Sequence, residues 1–169
     1  MIRLLKAGLF RLKKDILFWI FIFLTIGLAI LTLVRYVPIE GITLDSALNE
    51  FLIYIGLFIA IFVSIFVGKE HSQGIIRNKI IVGHNRISIY ISKLIISIVV
   101  SVFCELIYLA IIFLVGTPLL GQLQMTLSQF IGILVNTIFI IISFCSIYNF
   151  VTMLCSEITI STTICIILF

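Results

Sequence analysis

Charge is the scarcest feature of this sequence. Of 169 residues only 11% are Asp, Glu, Lys or Arg, and 63% are hydrophobic; a soluble domain carries about 25% charge and about 45–50% apolar residues. A small water-soluble fold leaves too much of its area exposed to hide that much apolar surface, so soluble classes are excluded. Histidine occurs twice, at His71 and His84, too sparsely for a metal site. No HExxH, acidic pair or GxxxxGK[ST] is present. The chain therefore builds neither a zincin site nor a phosphate-cradling P-loop, and no Ser/His/Asp or Cys/His pairing is plausible. Catalysis by this chain alone is not expected. Cys104, Cys145, Cys155 and Cys165 form no CxxC and all lie in apolar runs, where cysteine behaves as a small inert hydrophobe. Nor does any segment alternate as the strands of a transmembrane barrel would.

What is present is long greasy runs. Residues 16–34, 51–68, 94–116 and 130–154 are near the length of about 20 that a bilayer requires. They predict an all-α integral membrane protein with four complete transmembrane helices. A further run, 158–169, has 12 residues and is too short to cross. It is expected to be the start of a fifth helix in a shortened chain, the alternative being a half-span held by a partner. The first run is longer than the apolar region of a signal peptide and no A-x-A-like site follows it, so a retained anchor is expected.

The few charges are sharply placed. Arg3, Lys6, Arg11, Lys13 and Lys14 precede the first run, and Lys69, Arg77, Lys79, Arg86 and Lys93 lie between the second and third. The 35–50 segment carries Glu40, Asp45 and Glu50, and the 117–129 segment has no charge. Under the positive-inside rule the N-terminus and the 69–93 loop are cytoplasmic, and the other two segments external. The basic charge thus answers to membrane topology, and nucleic acid is not an expected partner. Leu5, Leu9, Leu12 and Ile16 fall on one helical face, with Arg3, Lys6, Lys13 and Lys14 on others, so residues 1–15 predict a basic amphipathic helix in the interface. Such a helix anchors to membrane lipid and is placed to brace a cytoplasmic partner.

Glu105 is the one charge within a run. A carboxylate there is costly unless neutral, paired or watered. It marks either a translocation path or an interhelical bond to Asn136 or Asn149 in the fourth run. Gly27, Gly56 and Gly132 make no GxxxG pair and are read as close-packing sites.

The 69–93 loop uses about twenty-five residues where a connector needs a handful. From Ser72 it predicts a short helix with Ile76 and Ile80 on one face and Arg77, Asn78 and Lys79 projecting elsewhere. Gly83 falls where a helix commonly stops. His84 or Asn85 can then cap a second helix, NRISIYISK, that continues into the third run. This design suits a docking element able to carry a push from a cytoplasmic protein to the spans on both sides.

Gly68, Glu70, Gly74 and the run IRNKIIVGHNRISIYISK resemble the loop after the second span of ABC-2 type transporter permeases of Gram-positive bacteria. The basic helix followed at once by a span, and the spacing of the first four spans, are also similar. The resemblance implies one 1–169 transmembrane domain in the bacterial cell membrane, with six helices expected where this chain shows four and a stub. It implies pairing as a homo- or heterodimer of permease subunits, each half binding a cytoplasmic ATPase subunit. ATP and Mg would sit on that partner and no cofactor on this chain. The ATPase-coupling residues implied are Glu70, Arg77, Asn78, Lys79 and Arg86, with Gly74 and Gly83 setting the breaks. Relatives of this shape export antimicrobial or toxic peptides, drugs or polysaccharides. The expected function is the permease of an ATP-driven exporter of hydrophobic or amphipathic cargo. The alternatives are a non-transporting anchor or sensor that recruits a partner through the basic loop, and an ion-coupled carrier using Glu105.

Overall fold

A computed structural model describes residues 2–37, 44–83, 85–120, 125–155 and 157–169, without the side chains of residues 2–4, 49, 51 and 52. Every element among the described residues is helical: α1 (Ile2–Lys14), α2 (Ile16–Tyr36), α3 (Leu44–Ser72), α4 (Ile75–Ile81), α5 (Arg86–Ile111), a π-helical turn (Ile112–Gly116), α6 (Thr117–Leu120), α7 (Leu127–Leu154) and α8 (Ile158–Ile167). Four helical stretches, Ile16–Tyr36, Leu44–Ser72, Arg86–Leu120 and Leu127–Leu154, are long and apolar enough to cross a membrane. In hydrocarbon every backbone polar group must be satisfied internally, which these continuous helices achieve. Their outward faces carry exposed Phe23, Ile30 and Val34 on α2 and Phe139 and Phe150 on α7, a surface suited to lipid and not to water. By length and composition these helices are those of a membrane protein.

The bundle is built around α3. Its most apolar window is 69% buried inside the protein, against 17% for α7, so α3 is central and α7 peripheral. α3 packs on α2, α5, α7 and α8, and α1 lies against α5. Phe21 of α2 meets Phe58 and Phe62 edge-to-face at 5.7 and 5.2 Å, a favoured aromatic geometry. Of the glycines expected to allow close packing, Gly56 does so: a Cβ there would lie 2.6 Å from the Phe169 ring and 3.1 Å from Phe144. Gly27 and Gly132 face open space, so the expectation fails for them.

Element boundaries depart from hydropathy in instructive places. α3 begins at Leu44, not at 51, and takes Asp45 and Glu50 into its first turns. Glu50 is buried, and it accepts from Arg35 at 2.9 Å. Glu40 lies outside the described residues. The third apolar helix overruns Gly116 to Leu120 by way of the π turn. Pro118 explains the turn, because it has no N–H for the Leu114 carbonyl and its ring would clash there. α1 and α2 are separate because Asp15 leaves the helix and accepts the Leu17 N–H at 3.2 Å as an N-cap. That break takes Ile16 off the face it was expected to share. The face of α1 that docks is Leu5, Gly8 and Leu12, with Gly8 directly under Ile96 of α5 and Leu9 left exposed.

Candidate functional site

The 69–93 loop folds as a helix between two left-handed glycines. α3 outlasts its apolar run by about one turn and ends near Ser72, whose hydroxyl donates to the Lys69 carbonyl at 3.1 Å. Gly74 adopts φ 67°, ψ 9°, and Gly83 adopts φ 92°. An L side chain resists that conformation and glycine does not. Gly74 reverses the chain and its carbonyl accepts the Asn78 N–H at 3.0 Å, opening α4; the Gly83 N–H donates to Ile80 at 3.0 Å and closes it. Asn85 then takes the extended N-cap position of α5, though its side chain makes no capping bond. His84 lies outside the described residues.

The reversal folds α4 back onto the end of α3 and builds an ionic cluster around Glu70. That carboxylate is 1% exposed and meets cations from three other helices: Lys93 of α5, Lys79 of α4 at 2.9 Å and Arg11 of α1 at 3.4 Å. Arg11 also donates to Gln73 at 2.8 Å. The buried Lys93 ammonium lies 4.6 Å from the centroid of the Phe66 ring, a cation–π contact. Beside the cluster Lys69 pairs with Asp15 at 3.5 Å. The ends of α1, α3, α4 and α5 are thereby tied through one carboxylate. Removing one partner of such a buried pair leaves an uncompensated charge, which destabilises by about 3–5 kcal/mol.

This placement corrects the expectation for Glu70. It does not lie on a surface that a partner meets, because it faces inward to satisfy three cations. Lys79 likewise turns toward the bundle. Arg77, Asn78 and Arg86 are exposed, and with them Ile80, Ile81, Val82 and Ile87. A groove of about 340 Å³ runs between Ile76, Ile80, Arg86, Tyr90 and Met153. An exposed apolar strip rimmed by arginine is the kind of surface a protein partner covers. Of the α1 cations, Arg11 joins the cluster, Lys6, Lys13 and Lys14 are exposed, and the side chain of Arg3 lies outside the described residues.

The residues read as a translocation path or interhelical contact are not brought together. Asn149 is buried and donates to Ser97 at 3.3 Å and to the Cys145 carbonyl at 2.8 Å. Asn136 is exposed on the outside of α7. Glu105 is buried and its Oε2 has no hydrogen-bond partner; it bonds to neither asparagine. Cys104, Cys145 and Cys165 are buried free thiols, and Cys155 is partly exposed. No three His, Cys, Asp or Glu side chains converge as a metal site among the described residues.

No family model, curated protein or solved structure matches this chain. Function must therefore be read from the cluster and the surface beside it. Sequence reasoning singled out Glu70 but missed Lys93 and Arg11 as its partners and missed the Asp15–Lys69 pair. One signal was available: Glu70 is the lone acid among the five cations of the 69–93 loop. A single carboxylate beside so many cations at the edge of an apolar run is placed to gather them.

Proposed function

We propose that this chain is the permease subunit of an ATP-binding cassette exporter of the ABC-2 type, with its N-terminus and 69–93 loop on the cytoplasmic side. A separate ATPase subunit, holding ATP and Mg, docks on the exposed face of α4 and the adjoining start of α5. Arg77, Asn78 and Arg86 make the polar contacts, and Ile80 and Ile81 the apolar ones. The observation that carries the reading is α4 itself: a short helix hinged at both ends by left-handed glycine, exposed on one side and bound to Glu70 on the other. Movement of α4 reaches α1, α3 and α5 through that one carboxylate. A second permease subunit completes the path, and the cargo is a hydrophobic or amphipathic molecule such as a peptide or drug. The chain itself is not an enzyme in this reading. Its location is the bacterial cell membrane.

The test is co-purification in detergent from the native cell, with any bound P-loop ATPase identified by mass spectrometry. Arg77→Glu with Arg86→Glu reverses two exposed charges without touching the Glu70 cluster. The expected result is loss of bound ATPase by at least about tenfold, on the order of 1.4 kcal/mol or more, with the permease still folded. ATPase that stays bound and fully stimulated after both reversals would remove the docking assignment. Failure of the wild type to retain any ATPase would favour an anchor that recruits another partner.

A further inference from the structure

A second feature of the basic end is unused by that reading. A cleft of about 470 Å³ opens between α1 and α5. Leu9 and Phe10 of α1, Phe18 of α2 and Phe103 of α5 form its apolar walls, and Lys6 and Lys13 stand on its edge. Phe18 and Phe103 stack with centroids 6.3 Å apart, which joins α2 to α5. The volume falls within the range of about 300–1,000 Å³ typical of small-molecule sites.

The cations of α1 are divided in a way that points to the occupant. Arg11 is bound to Glu70 and Gln73, and the Lys14 ammonium lies 4.8 Å from the Phe10 ring centroid. Lys6 and Lys13 pair with no carboxylate among the described residues. A ligand matching this cleft has hydrocarbon for the walls and negative charge for the two ammonium groups. Depth supports the same ligand. The chain's single tryptophan, Trp19, is half-exposed beside the cleft. It donates to the Lys13 carbonyl at 3.4 Å and meets Phe18 edge-on at 6.0 Å. Tryptophan concentrates at the level of lipid headgroups, and basic pockets between membrane helices at that level bind acidic headgroups.

We propose that the α1–α5 cleft binds one anionic phospholipid, with an acyl chain along Leu9, Phe10, Phe18 and Phe103 and the acidic headgroup between Lys6 and Lys13. The site rests on the membrane embedding alone and not on the exporter reading. Bound there, the lipid fills the space between α1 and the bundle and holds α1 in the position from which Arg11 reaches Glu70.

Trp19 supplies a native probe. The full chain is reconstituted in phosphatidylcholine vesicles containing, at equal mole fraction, either phosphatidylglycerol or phosphatidylcholine brominated on the acyl chain. Brominated phosphatidylglycerol is expected to quench Trp19 with an apparent association about fivefold or more above that of brominated phosphatidylcholine. Lys6→Gln with Lys13→Gln, both exposed and safe for folding, brings the two lipids to parity. Arg77→Gln removes a positive charge on the same side away from the cleft and leaves the preference intact. Adding inorganic phosphate leaves the quenching unchanged, which separates a lipid headgroup from a free phosphate. Equal quenching by both lipids in the unaltered chain overturns the proposal. So does an Arg77→Gln effect as large as that of the lysine pair, which would make the preference one of bulk surface charge. Absence of quenching by either lipid would mean that a protein surface covers the cleft, and overturns it too.

Discussion

Two buried carboxylates sit in the same bundle under opposite conditions. Glu70 is surrounded by Lys93, Lys79 and Arg11, whereas Glu105 has an oxygen with no partner at all. Both are acids in an apolar protein, and burial penalises the charge of each. The difference lies in what each holds together. Glu70 sits where four helices end, so one side chain can collect cations from separate elements. Glu105 sits within α5, surrounded by helix interiors that offer few donors. The first acid is an architectural joint. The second is an unfulfilled group on a helix whose other buried polar side chains find donors or acceptors. Ser101 donates to the Ser97 carbonyl, and the Ser97 hydroxyl accepts from Asn149 of α7, whose own Oδ1 is likewise without a partner.

The sharpest way to break this comparison is at Glu70. Glu70→Gln leaves Lys93 buried without a counter-charge and is expected to lower stability by about 3–5 kcal/mol, read from thermal unfolding in detergent. Glu70→Gln combined with Lys93→Met removes both charges and is expected to recover most of the loss. If the double variant is as unstable as the single, the cluster is not held by this pair.

Glu105→Gln is expected to do far less. It keeps the shape of the side chain, removes a charge that has no cation, and should change stability by within about 1 kcal/mol in either direction. A loss matching that of Glu70→Gln in the same unfolding assay would reveal a partner for Glu105 and erase the contrast. The smallest effect belongs to Lys69, whose pair with Asp15 is partly exposed at 3.5 Å. Lys69→Ala is expected to cost less than about 1 kcal/mol and to lose even that effect in high salt. A loss insensitive to salt would place this pair within the buried cluster and not beside it.

What could be read from the sequence follows from which forces act locally. The four apolar helices were legible because hydrophobic runs of that length have one stable form in lipid. The stop of α4 was legible because Gly83 falls at the end of its run and takes positive φ. Its start was not, because the helix expected from Ser72 begins only at Ile75, with Ser72 closing α3 and Gly74 reversing the chain between them. The inward turn of Glu70 was not legible. It depends on α4 folding back so that Lys79, nine positions on, reaches the same carboxylate as Arg11 and Lys93, which are far away in the chain. The start of α3 at Leu44 was hidden for another reason: hydropathy reports burial in lipid, and Asp45 and Glu50 are polar residues in a helix that begins ahead of the apolar run. The face of α1 was misread by one position because the apolar periodicity counted Leu9 and passed over Gly8. Only Gly8 lets α1 approach Ile96 of α5.

The central claim is that α4 is the surface on which the cytoplasmic ATPase docks. It is tested most directly by placing a photoreactive residue at Asn78, exposed in the middle of α4, and irradiating intact cells. The account predicts an adduct of this 19.1 kDa chain with a P-loop ATPase identified by mass spectrometry, and none from the same residue at Phe139 on the exposed outer face of α7. Adducts from Asn78 that contain no ATPase, with the complex otherwise assembled, would contradict it.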